Sequence, residues 1–333
     1  MTDTVDVWVP TEDEVTAVLR EVLPSGVGVS RVAVGELAGR GLVGSVQRVA
    51  LEFDGPASGV PRSFVLKAPS NMIAEGSVLA EIERDFYASD LAGASGLGVP
   101  LTFVGDSWIL VEDLGDKGLV KQAQGYEPEQ ALAAVREIAR LHAHFRGAPV
   151  PHWLRPPIDS AVADFCRTRL HTWNRDWPPA LKHVPSLLVE RFDDIAAFLH
   201  TPDSTITHGD FHSQNIFVLP DRCRLIDFQF LQHASGLIDI ARLLATSLTI
   251  EVRRDIEMTL LAEYHTRLAE LGQPPEVEWQ TSFRAGLLWN FATPLALHIG
   301  AMSASGEPWP SRLPILHRCL TAVEDWAALD LVA

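Results

Sequence analysis

Short apolar segments with alternating polarity dominate the first third of the chain. Between Val46 and Phe53, apolar residues recur at every second position, a period typical of a half-buried strand. Turn signals such as Asp54-Gly55-Pro56 separate these segments. The pattern predicts one helix, at Ile73–Leu91, and five strands, at Val32–Leu37, Val46–Phe53, Ser63–Ala68, Pro100–Gly105 and Trp108–Glu112.

After Leu114-Gly115-Asp116 the apolar period becomes helical. Glu129–Phe145, for example, carries Leu132, Val135 and Ile138 on one face. Only Thr205–Phe228 returns to strand-like segments. A strand-rich first part and a helical remainder predict an α+β fold with two lobes, 1–112 and 113–333. The further predicted helices are Ala161–Trp173, Ser186–His200, Leu237–Leu248, Val252–Leu271, Gln280–His298 and Arg312–Leu329.

The composition is that of a globular protein, with 333 residues, 47% hydrophobic residues and a formal net charge of −16. The negative charge argues against nucleic acid or anionic membranes as partners and fits a cationic small substrate. Three cysteines, Cys166, Cys223 and Cys319, form no C-x-x-C pair and suit a reducing cytoplasm. The acidic N-terminus and the lack of a long apolar run predict neither a signal peptide nor a membrane span.

The most informative segment runs from His208 to Asn215 and is followed, eleven residues on, by Ile226-Asp227-Phe228. It reads H-x-D-x-x-x-x-N and then D-F-x. This spacing suits phosphoryl transfer, in which Asp210 takes the proton of an attacking hydroxyl group. Asn215 and Asp227 would hold magnesium on the nucleotide phosphates, since mixed Asp and Asn oxygens suit this ion. His208 is expected to order the loop by hydrogen bonds and not to react.

A second motif, G-x-G-x-x-G-x-V, lies between two predicted strands, with glycines at Gly39, Gly41 and Gly44 and a hydroxyl donor at Ser45. Glycines let the backbone approach phosphates closely. Three glycines in six residues also make an ordinary hairpin, so the motif alone leaves both interpretations open. No long helix follows directly, which excludes a Rossmann dinucleotide site.

Lys67 stands among apolar residues on a predicted strand, where an ammonium group is costly unless it is paired. It could bind the α- and β-phosphates and pair with a carboxylate on the following helix. Glu83 is the favoured partner, and Glu75 and Glu81 compete with it. Alternatively, Lys67 is an edge-strand lysine whose charged end reaches water.

Two further acidic positions have candidate roles. The apolar strand Trp108–Glu112 ends in a polar segment, where Glu112 and Leu114 would lie in the connector whose backbone meets the nucleotide base; the alternative is a simple polar turn. Asp239 begins a predicted helix, where a carboxylate complements the helix dipole. We interpret it as a brace for the catalytic loop.

Other patterns allow competing interpretations. The Pro- and Trp-rich segment between Ala148 and Pro185 predicts either a stiff connection or a wall for an acceptor molecule. Histidines could form a two-zinc hydrolase site, although that leaves Lys67 and the glycine motif without roles. The set comprises His142, His144, His208 and His212 with Asp210. Aromatic residues of the helical part could line an acceptor pocket or pack in the core; they are Trp173, Trp177, Trp279, Phe283, Trp289 and Phe291.

With these motifs the chain resembles the aminoglycoside phosphotransferase/choline kinase group of the protein-kinase-like superfamily, over nearly its whole length. Leu141-His142-Ala143 and Asp227-Phe228-Gln229 are most similar to the ecdysteroid kinase-like branch. The resemblance implies a nucleotide-binding lobe at 1–112 and a helical lobe at 113–333 that carries the catalytic loop, metal site and acceptor site. Gly209 and Gln229 replace an arginine and a glycine of protein kinases, and no A-P-E follows, which argues against a protein substrate.

We therefore expect a cytoplasmic, ATP- and magnesium-dependent kinase for the hydroxyl group of a small molecule. Candidate acceptors are an antibiotic or other natural product, an aminocyclitol, a sugar or a sterol-like alcohol; an antibiotic acceptor would make it a resistance enzyme. The alternative from another class is a nucleotide-binding pseudokinase. The sequence leaves open the acceptor, ATP against GTP, and monomer against homodimer.

Overall fold

The structure is a computed structural model that describes residues 8–35, 44–69, 74–154, 184–305 and 313–333. Gly39, Gly41, the predicted helix Ala161–Trp173, Cys166 and Trp177 lie outside these ranges. By its internal contacts the chain divides into two compact units. The first comprises Met1–Leu91 and Val99–Asp116, and the second comprises Ala92–Gly98 and Lys117–Ala333. The assignment of separate functional roles to 1–112 and 113–333 stays a prediction.

The first unit contains a five-stranded antiparallel sheet with the strand order β1-β2-β3-β5-β4. A helix, α2 (Ala74–Ala88), lies between β3 and β4 in the chain. The strands are β1 (Val29–Gly35), β2 (Gly44–Phe53), β3 (Ser63–Pro69), β4 (Thr102–Val104) and β5 (Ile109–Glu112). All five predicted strands and the inserted helix are therefore confirmed, with shifts of a few residues at their ends.

The period of two predicts the core of this sheet correctly. Val49 and Leu51 of β2 and Phe64 and Leu66 of β3 are buried in one apolar cluster. Phe86 of α2 is also fully buried. Burial of apolar side chains on one face is the main stabilising contribution in such a sheet.

Helix α1 (Glu12–Val18) in this unit was not predicted. Thr11 and Glu14 form a reciprocal cap, in which the Glu14 amide donates to Thr11 Oγ1 at 3.3 Å and the Thr11 amide donates to Glu14 Oε2 at 2.7 Å. Val15 and the following Leu19 are buried. The T-x-x-E signature of such a cap is present in the sequence, but the helix has only seven residues.

The second unit is mainly helical. Its helix α7 (Leu237–Ser247) is buried along its whole length, which identifies it as the central helix of the unit. Around it the structure describes α4 (Pro128–Phe145), α5 (Val184–Glu190), α6 (Phe192–Leu199), α8 (Ile250–Glu270), α9 (Trp279–Ser305) and α10 (Leu313–Asp325), and α3 (Leu91–Ser95) precedes them.

Helices α7 and α9 pack closely because Gly286 of α9 has no side chain. A Cβ atom at this position would lie 3.0 Å from Ala241 Cβ and 3.2 Å from Ile238 Cα. Four residues later, Asn290 Nδ2 donates to the carbonyl oxygen of Ile238 at 2.8 Å. The close approach holds α7 in place, and α7 carries two of the site residues described below.

Two small two-stranded antiparallel sheets complete this unit. One pairs β6 (Thr205–Thr207) with β9 (Gln232–Ala234), and the other pairs β7 (Ile216–Val218) with β8 (Cys223–Leu225). Residues 208–215 form the loop between β6 and β7. Strand β9 was not predicted, because its three residues carry no alternating apolar pattern.

The predicted α+β class, with a small antiparallel sheet and a mainly helical remainder, is confirmed. Over the ranges that the structure describes, no helix is both long and apolar enough to cross a membrane.

Candidate active site

The loop 208–215 turns sharply at Gly209, whose φ is +77°. A Cβ atom on Gly209 would lie 2.0 Å from the carbonyl oxygen of Phe230, so no larger residue fits without movement of the backbone. This contact gives a physical reason for glycine at the position where protein kinases have an arginine. The turn brings the amides of His208 and Gly209 to the same carboxylate.

That carboxylate belongs to Asp239 in the first turn of α7. Its Oδ2 accepts the amide of His208 at 2.7 Å, and its Oδ1 accepts the amide of Gly209 at 2.9 Å. Asp239 is fully buried, so these hydrogen bonds are shielded from water. Asp239 thus fixes the start of the loop 208–215 through the backbone of that loop.

Asp239 is in turn oriented by His142 of α4, whose Nε2 lies 3.1 Å from Asp239 Oδ2. The other ring nitrogen, Nδ1, lies 2.9 Å from the hydroxyl of Tyr264. Both nitrogens of this buried imidazole are occupied, while His144 is exposed. His142 is therefore not available as a zinc ligand. Among the described residues, no group of three or more His, Cys, Asp or Glu side chains is arranged to hold a metal ion.

His208 orders the loop from within. The amide of Asp210 donates to His208 Nδ1 at 3.3 Å, which leaves the proton on Nε2, and Nε2 donates to the carbonyl oxygen of Ile226 at 2.9 Å. Burial lowers the pKa of His208, so the imidazole is neutral near pH 7. The ring therefore joins the loop to the segment that carries Asp227.

The Asp210 carboxylate is held from two sides. Arg242 Nη2 of α7 donates to Oδ1 at 2.6 Å. Asn215 Nδ2 donates to Oδ2 at 3.1 Å, and His212 Nε2 lies 3.3 Å from the same oxygen. His212 Nδ1 accepts the amide of Gln214, so its proton is on Nε2 and faces Asp210.

These contacts keep Asp210 ionised. Burial acts to raise the pKa of its carboxyl group, but the interactions with His212 and Arg242, including the hydrogen bond from His212, outweigh burial. The pKa consequently lies well below its ordinary value. A carboxylate offers about four acceptor sites, and the three donors leave room for one more hydrogen bond.

Asn215 is oriented by the same loop. Its Nδ2 donates to the backbone oxygen of Asp210 at 2.9 Å as well as to the carboxylate. Both partners are acceptors, so the amide nitrogen must face them, and Oδ1 lies on the opposite side. The carbonyl oxygen is thus presented away from Asp210, where it could bind a cation.

Asp227 follows β8 and is joined to Asn215 through the backbone, because the amide of Ile226 donates to the Asn215 carbonyl oxygen at 3.0 Å. Its φ of 71° lies in the left-handed region, which is uncommon outside glycine. Gln229 Nε2 donates to Asp227 Oδ2 at 3.1 Å. One carboxylate and one amide oxygen form a hard donor set that fits magnesium, so these residues are suited to hold it.

In the first unit, Lys67 of β3 pairs with Glu83 of α2. Lys67 Nζ lies 2.8 Å from Oε1 and 3.0 Å from Oε2 of Glu83. The Glu83 side chain is 5% exposed and that of Lys67 is 20% exposed. Glu83, the favoured candidate, is therefore a partner of Lys67; binding of phosphates by Lys67 stays a prediction.

For the other residues predicted to bind nucleotide, namely Gly44, Ser45, Glu112 and Leu114, the structure gives backbone positions and hydrogen bonds but no test of nucleotide binding. Gly44 and Ser45 begin β2, opposite Pro69 and Ala68 of β3, so Ser45 is the second residue of a strand. Near the predicted connector, the amide of Glu112 donates to the Leu101 carbonyl oxygen at 2.7 Å. The amide of Asp113 likewise donates to Ser63 O, at 3.1 Å. Leu114 is half-buried and follows these occupied amides.

Phe283, Trp289 and Phe291 of α9 pack in the core. Phe283, Trp289 and Phe291 are each at most 4% exposed. The rings of Phe192 and Trp289 lie 5.0 Å apart, and those of Phe283 and Trp326 lie 4.7 Å apart. Trp279 contacts Trp326 at 6.2 Å. The core-packing interpretation therefore accounts for Phe283, Trp289 and Phe291, whereas Trp279 is half-buried.

Sequence reasoning missed Arg242 as a site residue and considered His212 only as a zinc ligand. His212 lies two residues after Asp210, so its proximity could have been expected from the loop itself. Arg242 lies far from Asp210 in the chain, and its one signal is its position three residues after Asp239 on a helix, which puts both on the same face.

Residues 153–273 match the ecdysteroid kinase-like family. This range includes the loop 208–215, Asp227-Phe228-Gln229 and Asp239. A comparison with curated protein sequences finds no match.

Solved structures similar to the chain include three small-molecule kinases. Choline kinase LicA from Streptococcus pneumoniae is 13% identical, with a TM-score of 0.59 over 94% of this chain and 99% of that one. Macrolide 2′-phosphotransferase MphH from Brachybacterium faecium is 19% identical, with a TM-score of 0.50 over 96% and 97%. The GDP complex of an aminoglycoside 2′-phosphotransferase is 12% identical, with a TM-score of 0.56 over 96% and 98%.

At these identities the likeness concerns the fold. The chain shares the fold of these three enzymes, in agreement with the sequence motifs. The match of residues 153–273 to the ecdysteroid kinase-like family agrees with the resemblance carried by Leu141-His142-Ala143 and Asp227-Phe228-Gln229.

Proposed function

We propose that the protein is a small-molecule phosphotransferase that moves the terminal phosphoryl group of a nucleoside triphosphate to a hydroxyl group of its acceptor. The observation that carries the proposal is the cluster in the second unit. There, an ionised Asp210 carboxylate is hydrogen-bonded to Asn215, and Asn215 is joined by its backbone to the residue before Asp227. The solved structures with this fold are a choline kinase, a macrolide phosphotransferase and an aminoglycoside phosphotransferase, which supports this class.

In this proposal Asp210 is the base. Its remaining acceptor position would take the hydrogen bond of the substrate hydroxyl and so orient the oxygen for attack. Because the lowered pKa makes the carboxylate a weak base, it would orient the hydroxyl first and take the proton late. A late transfer suits the loose transition state of phosphoryl transfer, since the hydroxyl becomes acidic only as its new bond to phosphorus forms.

Asn215 Oδ1 and the Asp227 carboxylate would hold magnesium. When bound, the ion would neutralise the phosphate charge that develops during transfer. Asp239 would keep Asn215 in place by anchoring the backbone of the loop. In the first unit, the Lys67–Glu83 pair would direct the lysine charge at nucleotide phosphates.

The nucleotide is proposed to be ATP, and the acceptor to be a neutral or cationic hydroxyl compound. The test is incubation of the protein with magnesium and either ATP or GTP, together with a macrolide, an aminoglycoside, choline, a sugar or a sterol-like alcohol. Mass spectrometry should find one acceptor heavier by a phosphoryl group, together with the nucleoside diphosphate.

A matched pair of variants makes this test specific. Asn215→Ala should abolish product formation and weaken the magnesium dependence of nucleotide binding, because the amide oxygen is lost. Gln214→Ala, at the exposed neighbouring position, should leave both unchanged. Tight nucleotide binding with no product from any acceptor would instead support a pseudokinase.

A further inference from the structure

Arg242 is a buried cation in the middle of α7, and its residue is 8% exposed. It follows Asp239 by three positions, so both side chains project from one face of the helix. Asp239 holds the backbone of the catalytic loop, at the amides of His208 and Gly209. Arg242 holds the side chain of Asp210 in the same loop, at 2.6 Å. One face of α7 thus fixes both the backbone at the start of the loop and the side chain of Asp210.

Apart from the contact with Asp210, the buried charge and donor groups of Arg242 have little compensation. Within the described ranges, Nε and Nη1 of Arg242 are buried and donate to no acceptor. A buried guanidinium group with unpaired donors carries a desolvation cost that one ion pair seldom offsets. Stability therefore gives little reason for this ion pair, because two apolar side chains of similar volume would stabilise the interior at least as well.

The arginine fixes the orientation of the Asp210 carboxylate. Asn215 and His212 contact only Oδ2 of Asp210, whereas Arg242 alone contacts Oδ1 among the contacts of the described structure. The torsion that rotates an aspartate carboxylate is soft, so donors on one oxygen do not fix its plane. When each oxygen accepts from a separate donor, the plane of the carboxylate is fixed.

We propose that Arg242 is a positioning residue for the phosphoryl transfer, which by holding Oδ1 fixes the plane of the Asp210 carboxylate toward the acceptor hydroxyl. The inference rests on the proposed function, because it assigns Asp210 the role of base. Arg242 acts through Asp210 and does not itself touch the substrate. The Arg242–Asp210 pair serves turnover, at some expense in stability relative to two apolar side chains.

The first test is kinetic and uses magnesium–ATP with water as the acceptor, since that probe needs no identified substrate, and then any acceptor found in the panel. Arg242→Met should lower kcat about 100-fold, as expected for a displacement of about 1 Å of the base. The KM for ATP should stay within about threefold, because nucleotide contacts are intact. Arg242→Lys, which restores a cation, should recover part of kcat.

A double-mutant cycle with Asp210→Asn separates this role from a structural one. If Arg242 acts only through the carboxylate, Arg242→Met should change the residual rate of Asp210→Asn by less than about threefold. An equal loss in both backgrounds would overturn the inference. Wild-type turnover in Arg242→Met, with Asp210→Asn inactive, would overturn it as well and leave the proposed function standing.

Arg253 provides a matched control in the same unit. It is 1% exposed and pairs with Glu257 and Asp325, away from the loop. Arg253→Met should keep kcat within about twofold of wild type. Both Arg253→Met and Arg242→Met remove one partner of a buried ion pair and should lower the Tm by a similar amount, so only the effect on kcat distinguishes Arg242 from Arg253.

A crystal structure of Arg242→Met decides the matter even where turnover is too slow to measure. We expect the Asp210 carboxylate to leave the orientation it has beside Arg242 or to occupy two orientations. An unchanged single orientation would overturn the inference. Wild-type turnover in Asp210→Asn would instead remove the proposed base itself, and that result is distinct from a failure confined to Arg242.

Discussion

His142 Nε2 lies 3.1 Å from Asp239 Oδ2, and that oxygen also accepts the amide of His208. Helix α4 is therefore connected to the loop 208–215 through the Asp239 carboxylate, which both contact. The arrangement is buried, so loss of any member leaves an unpaired polar group.

We predict that Asp239→Asn lowers the free energy of unfolding by about 2–4 kcal/mol, because an amide can replace one acceptor oxygen but not both. Turnover should fall at least about tenfold, since the loop loses its anchor. Urea unfolding and kcat check the two effects. Asp194→Asn, whose side chain is 56% exposed, is the control and should change neither.

Gly209→Ala should lower the free energy of unfolding by more than the left-handed φ of this position alone explains. A left-handed φ costs an alanine about 1–2 kcal/mol, but the new Cβ would also meet the Phe230 carbonyl at 2.0 Å. Gly272 has a φ of +86° with nothing within 4 Å of its Cβ position, so Gly272→Ala isolates the cost of φ. Equal losses of unfolding free energy in the two variants would show that the contact with Phe230 is not tight.

The Lys67–Glu83 pair gives a prediction for the first unit. Lys67→Met should weaken kcat/KM for the nucleotide by about 100-fold or more, because a phosphate contact is lost while Glu83 remains in place. Lys117→Met, at an exposed position, should have no effect. Isothermal titration with nucleotide and steady-state rates measure the change; unaltered nucleotide binding and turnover in Lys67→Met would mean that the lysine has a structural role only.

Acid should weaken the protein partly through Asp325. Hydrogen bonds from Arg254 and Arg253 lower the pKa of its carboxyl from 3.8 to about 2. The folded state thus binds this proton less readily than the unfolded state, so the contribution is complete above pH 3.8 and is lost as the pH falls through about 2. Asp325→Asn should flatten the fall of unfolding free energy between about pH 4 and pH 2. The same slope in variant and wild type would contradict the assignment.

Much of the site could be predicted because its elements are local in sequence. Asp210 and Asn215 share one loop, and Asp227 follows the adjacent hairpin, so their spacing alone indicates their proximity. Glu83 follows from the helical period of α2. Prediction of the Lys67–Glu83 ion pair requires only the assumption that α2 packs beside β3.

Features that depend on packing between distant segments could not be predicted in this way. The contact of Arg242 with Asp210 requires the depth and rotation of α7, and His142 reaches Asp239 only once α4 is packed against it. The buried aromatic residues of α9 could equally have lined a pocket, and only their packing beside Phe192 and Trp326 decides for the core.

The most direct test of the central claim is the turnover of Asp210→Asn with magnesium, ATP and the best acceptor. The substitution keeps the size of the side chain and removes its ability to take a proton. We predict that kcat falls by about 10²–10⁴-fold while the protein stays folded and still binds nucleotide. Turnover equal to wild type would contradict the assignment of Asp210 as the base and, with it, the proposed phosphoryl transfer.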